Sequence, residues 1–260
     1  MVPKEIWQTQ FEHQMDFFKR IEGSKKVLKF DRRYIIPSDI GSQFYCEQKL
    51  EQEYLTGKIV TEEMLQGDEG HAQIVEDFRP VTIEEAWRNI YTKDKFMLAE
   101  FIFITPYKKI YIIGRPDIVL FIGGMPILVF EFKFSSYRED FLSRHAQAQS
   151  YGLILKELGL EIKNLFYSII VFKPGMIGQK EFIKSIPQKV ATDFFNGNIT
   201  DAENNSKMYG DIKAYIHKFY SVEAEKHIDW AIGYWTGHRE ACCTETKEKC
   251  YSCKYSQNCL

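Results

Sequence analysis

GRPDIVLFIGGMPILVFEFKF, residues 114–134, decides how this chain is read. Two apolar runs meet at Gly123-Gly124, the mark of a hairpin. Among Ile, Val, Leu and Phe stand Asp117, Glu131 and Lys133. A buried, unpaired carboxylate costs on the order of several kcal/mol, so a hairpin this apolar needs a reason to keep two acids. Glu131 and Lys133 alternate with Phe130, Phe132 and Phe134 and so take the opposite strand face. A two-residue loop in a regular ladder sets Asp117 opposite Phe130. An odd loop such as Gly123-Gly124-Met125, or a bulge of the same effect, sets it opposite Glu131, and this second arrangement is expected. Two carboxylates converging there repel unless a cation lies between them, and such oxygen-rich sites suit Mg²⁺ or Mn²⁺. A lysine beside that cation suits chemistry on a phosphodiester. From spacing alone, an exposed Glu–Lys ion pair on a sheet edge remains the other reading.

Outward from the hairpin, FMLAEFIFI, IYIIG, DIVLFIG and ILVFEFKF read as one β-meander, and LFYSIIVF (165–172) as a strand buried on both faces. Helices are expected over 5–22, from Pro37-Ser38-Asp39 to about Leu55, and from Thr61 past His71. Further helices are expected over about 83–91, 138–158, 205–220 and 222–236. VLKFDRRYII is strand-like, and the tail beyond Gly237 is irregular. Glu100, in LAEFIFI, is another strand acid near the candidate site. No repeat or linker appears, so the expectation is one α/β domain over 1–260 with helical additions.

The 260-residue chain is long enough to bury a sizeable core, and 27% charged residues with 45% hydrophobic ones are ordinary for a folded protein. Charged residues interrupt every apolar run before membrane-span length. The opening MVPKEIWQTQFEHQ has no apolar signal core, so a cytoplasmic address is expected. Net charge is −2, but residues 101–200, around the hairpin, sum to +4 while 47–100 sum to −7. That asymmetry points weakly toward a polyanion at the basic part.

Five of six cysteines crowd the last nineteen residues. In a cytosolic chain this argues for metal ligation over disulfides. Cys250, Cys253 and Cys259 form C-x2-C-x5-C, and Cys242, Cys243, His238 or the distant Cys46 could supply a fourth ligand. Four thiolates fit zinc or an iron–sulfur cluster equally well.

Asp117 followed by Glu131-Phe132-Lys133 resembles the PD-(D/E)xK nuclease motif, including its proline at Pro116. Gly114-Arg115-Pro116-Asp117 is similar to the G-x-x-D element of the RecB-like branch, and Gln147-Ala148-Gln149-Ser150-Tyr151 to its Q-x-x-x-Y. Gly70-His71 resembles its helical Gly/His element, and all four follow the family's order. Cys46 and the terminal trio resemble the cysteine arrangement of RecB-like nucleases with a 4Fe-4S cluster: CRISPR-associated exonucleases, the AddB nuclease domain and exonuclease V. Trp235-Thr236-Gly237-His238-Arg239 is similar to the W-x-G-x-R element near the exonuclease V ending.

The resemblance spans about residues 38–259. It implies a restriction-endonuclease-like core, a mixed sheet flanked by helices over about 61–175, with a 4Fe-4S subdomain built from 38–56 and 222–260. His71, Asp117, Glu131 and the Phe132 carbonyl would hold Mg²⁺ or Mn²⁺. Asp117, Glu131 and Lys133 would carry catalysis, and Gln147 and Tyr151 would contact DNA or brace the site. Cys46, Cys250, Cys253 and Cys259 would hold the cluster, leaving Cys242 and Cys243 as bystanders. The implied activity is a DNA exonuclease acting on single strands or frayed ends, in CRISPR spacer acquisition (antiviral defence) or DNA repair. Partners would then be DNA, CRISPR adaptation proteins or repair factors, with a homo-oligomer compatible. A DNA-end-binding subunit with little catalysis and a structure-specific endonuclease are the rival readings.

Overall fold

Strand β6 (Met125–Phe134) lies inside a six-stranded mixed sheet, and the rest of the fold is arranged around it. The structure, a computed structural model, describes residues 5–202 and 204–259. In chain order, helices α1 (Ile6–Gly23), α2 (Pro37–Thr56), α3 (Glu62–Val75) and α4 (Ile83–Thr92) precede the larger sheet, with the short strand β1 (Tyr34–Ile35) before α2. Strands β2 (Lys95–Ala99), β3 (Phe103–Tyr107), β4 (Ile110–Gly114) and β5 (Ile118–Ile122) lead to β6. Then come α5 (Leu142–Glu157), β7 (Phe166–Phe172), α6 (Lys180–Phe195), β8 (Ser206–Tyr209), β9 (Ile212–Lys218), α7 (Ser221–Trp235) and the short α8 (Glu248–Tyr251).

The larger sheet runs β2-β5-β6-β7-β9-β8, and a smaller one runs β1-β4-β3. Strands β6 and β7 are parallel, joined by the crossover helix α5, while the other pairs of the larger sheet are antiparallel. The chain is thus α/β, with mixed sheets flanked by helices. Alternate residues of β5, β6 and β7 enter two separate cores. Leu128, Phe130 and Phe132 join Ile74 of α3 and Ile183 and Ile186 of α6. Val129, Ile169 and Val171 join Tyr151 and Ile154 of α5. Both faces being covered, the strands carry continuous apolar runs.

Four sequence expectations change. The meander divides, because β2 pairs with β5 while β3 and β4 pair with each other in the smaller sheet. The turning point is Glu100, whose φ of 49° leaves the strand region. Residues 205–220 form the β8–β9 hairpin in place of a helix, so the larger sheet extends past residue 175. Tyr209-Gly210-Asp211-Ile212 is its turn, with Gly210 at positive φ. VLKFDRRYII is mainly a tight turn, since Phe30 and Asp31 both take positive φ. Helix α6, with Pro187 inside it, had no counterpart in the sequence reading.

Candidate active site

The hairpin turn is the two-residue Gly123-Gly124 kind, both at positive φ, with a register shift between Leu120 and Phe121. That bulge has the effect of the odd loop. Ile118 pairs with Phe130, so the next position sets Asp117 across from Glu131. Asp117 lies just beyond the last rung of β5, where its side chain replaces a missing backbone partner. Its Oδ2 accepts a hydrogen bond from the Phe132 amide at 2.5 Å.

His71 reaches the same carboxylate from α3, with Nδ1 3.1 Å from Asp117 Oδ1. Gly70 permits this approach: a Cβ there would stand 2.1 Å from Cζ of Phe134. The His71 ring is packed beside Phe132 and Phe134. Burial, the largest single influence, lowers its pKa, but the Asp117 and Glu131 carboxylates together raise it, and the net shift is upward.

On the α5 side, Glu131 is 1% exposed and contacts Lys133, Oε1 to Nζ, at 2.6 Å. Its other oxygen, Oε2, is buried without a partner. Burial pushes the Glu131 carboxyl up to about 7, with Lys133 opposing the shift and Asp117 adding to it. Lys133 Nζ donates to Gln147 Oε1 at 2.9 Å, and Gln147 Nε2 donates to the Tyr151 hydroxyl at 3.2 Å. Four side chains from two sequence motifs therefore form one hydrogen-bonded line. Tyr151 is 5% exposed, and burial holds its hydroxyl far above the ordinary pKa, so it is a neutral brace for Gln147. Glu100 donates its amide to the Asp117 carbonyl, but its carboxylate turns to Arg115.

His71, Asp117 and Glu131 are gathered without closing into a tight shell. Among the described residues, only Asp140, His145 and His217 bring three ligand atoms within 4.8 Å of one another. In the candidate site His71 pairs with Asp117 and Glu131 with Lys133, while Glu131 Oε2 has no partner. Two acids, an imidazole and a spare buried oxygen fit a hard divalent cation.

The cysteines converge elsewhere. Cys46, Cys243, Cys250, Cys253 and Cys259 line one hollow between α2 and the tail. Helix α2 breaks at Cys46, which is extended (φ −173°, ψ 112°). Just past the break, the Gln48 amide donates to the Cys242 carbonyl of the tail. Cys242 is absent from the hollow, and its sulfur faces Arg239. Cys243 also lines the hollow. The sequence reading also missed Glu47, whose buried carboxylate takes two contacts from Arg239, one of 2.6 Å, and accepts the Cys242 amide at 2.9 Å. This ties the Trp235-to-Arg239 element to α2. The acid directly after Cys46 was its one sequence signal.

No protein-family model matches the chain, and no curated protein does. Among solved structures, "Crystal structure of SSO0001" covers 97% of this chain and 94% of its own, with 11% identity and a TM-score of 0.44. A likeness of that size carries no argument about fold or activity. No helix among the described residues is long and apolar enough to cross a membrane.

Proposed function

We propose that this chain is a Mg²⁺- or Mn²⁺-dependent DNA exonuclease with a restriction-endonuclease-like core, acting on single strands or frayed ends. The observation that carries the reading is Glu131: a fully enclosed carboxylate, facing Asp117, with one oxygen on Lys133 and the other on nothing. A structural ion pair gains nothing from an unpaired oxygen in the interior. A cation ligand does.

His71, Asp117, Glu131 and the Phe132 carbonyl would hold the ion, which acidifies a water and polarises a phosphoryl oxygen. Lys133, fixed between Glu131 and Gln147, offers an ammonium where negative charge grows on the phosphate. Gln147 sets that ammonium, and Tyr151 sets Gln147. Exposed rings of Tyr137 and Phe141, on the segment between β6 and α5, stand 6.4 Å apart and suit stacking by unpaired bases. The role would fall in CRISPR spacer acquisition or DNA repair, with DNA and the proteins of either process as partners, in the cytoplasm.

The cysteine hollow would hold a 4Fe-4S cluster on Cys46, Cys250, Cys253 and Cys259.

Degradation of linear and circular single-stranded DNA, with the metal varied, tests the activity. Hydrolysis should need Mg²⁺ or Mn²⁺, stop in chelator and spare circles. Glu131→Ala and Lys133→Ala should each lose at least about a hundredfold in rate while remaining folded. Undiminished turnover in either variant refutes the site. Cut circles would make the enzyme an endonuclease, and zinc-only activity would overturn the metal chemistry.

A further inference from the structure

We propose that Asp140, His145 and His217 form a second metal site, selective for zinc-class divalent ions over Mg²⁺. The three come from the segment before α5, the first turn of α5 and strand β9, and share no ligand with the candidate active site. Asp140 Oδ2 lies 3.3 Å from His145 Nε2 and 3.0 Å from His217 Nε2. Ligands bound about 2.0–2.1 Å from a tetrahedral zinc stand about 3.3–3.4 Å from each other. Two of the three spacings are close to those of one coordination shell, and the third lies within 4.8 Å.

Direction separates this from a simple hydrogen-bonded cluster. His217 Nε2 is buried and makes no hydrogen bond, although a carboxylate oxygen is 3.0 Å away. A ring nitrogen carries its proton or lone pair along one axis, and here that axis misses Asp140. Ligands of a common ion behave this way, each aimed at the ion and not at its neighbour.

The surroundings fit as well. His145 Nδ1 is 2.9 Å from the Tyr167 hydroxyl, a contact that fixes the ring and leaves Nε2 for the ion. Tyr167 also stacks on His217, and the two imidazoles stand at 76° with centroids 4.5 Å apart. Burial lowers the pKa of both histidines, which favours the neutral, ligating form. All three residues are only half-buried, so an ion has a way in. Two imidazoles and one carboxylate select Zn²⁺ or Co²⁺ over Mg²⁺, and three protein ligands leave a fourth position open to water. The bound ion would tie β9 to the start of α5, the helix that presents Gln147.

The test uses the full chain with its cysteine-bound group intact, stripped with chelator and titrated with Zn²⁺ and Co²⁺. Wild type should bind one equivalent more than Asp140→Asn or His217→Gln, which lose that equivalent or bind it on the order of a hundredfold more weakly. Its cobalt spectrum should show imidazole–carboxylate ligation without thiolate charge transfer. Tyr167→Phe, which removes no ligand, should weaken binding about tenfold to a hundredfold. Zn²⁺ should raise the melting temperature of wild type but not of the ligand variants. Equal stoichiometry in wild type and variants refutes the site. If the ligand variants fail to fold, unchanged affinity in Tyr167→Phe, or a wild-type cobalt spectrum with thiolate bands only, does the same. These readouts are independent of DNA cleavage.

Discussion

At Glu131 the fold keeps a group that works against it. Burial lifts this carboxyl from the ordinary 4.5 to about 7. Between those values the metal-free folded chain holds a proton that the unfolded chain has released. The associated stability is complete below the ordinary value and is lost as pH rises through the folded one. Glu131→Gln, uncharged throughout, should therefore gain stability relative to metal-free wild type between about pH 5 and about pH 8. The same variant should be inactive, because it cannot offer an anionic ligand. Melting temperatures in chelator at both pH values check this. A difference that does not change with pH would mean that Glu131 is not charged at a cost. Lys133 cannot offset burial alone, since it covers only one of the two oxygens.

Among the elements, the β5–β6 hairpin was legible because burial on both faces leaves an acid no ordinary reason to be there. Strand parity then paired Asp117 with Glu131, given a bulge whose position the sequence did not mark. Other features depend on distant partners. Nothing near Cys46 announces a helix break, which is accompanied by a hydrogen bond from Gln48 to the distant Cys242. Lys207, Met208, Lys213 and Ala214 suit helices, and β8 is an edge strand with little buried apolar surface, so the β8–β9 hairpin read as helix. That misreading hid His217, and with it the Asp140–His145–His217 cluster. Glu47 acquires meaning only against Arg239, across the α2–tail junction. Arg239→Ala leaves a fully buried carboxylate without its cation. It should cost about 3 kcal/mol, toward the low end for a broken buried pair because Arg239 is itself partly exposed. Arg239→Lys keeps the charge but loses the two-pronged contact and should fall between. Urea unfolding measures both, and a loss below about 1 kcal/mol for Arg239→Ala would make the pair a surface contact in effect.

Across the whole molecule, the tail is held to α2 in two ways that can be separated. One is protein only: Glu47 with Arg239, Gln48 with Cys242, and the Lys249 ammonium on the Tyr45 carbonyl. The other is the thiol-lined hollow, where Cys46 from α2 meets the tail cysteines. A centre joining Cys46 to Cys250, Cys253 and Cys259 closes a loop of nearly the whole chain. Loop-closure entropy grows slowly, by about 0.6 kcal/mol per doubling of length, so most of the gain comes from ligation itself, which is folding energy. Loss of any of the four thiols should then remove iron and lower the melting temperature together. Cys242→Ala should leave both unchanged, because that sulfur lies outside the hollow, against Arg239. Cys243 is the discriminating position, since it lines the hollow but is outside the proposed ligand set. Iron content and melting temperature of anaerobically purified Cys46→Ala and Cys243→Ala decide between them. Loss in Cys46→Ala with retention in Cys243→Ala supports a centre that staples the two ends of the fold. The reverse would build the centre wholly from the tail and leave Glu47 and Arg239 as the main tie between α2 and the tail.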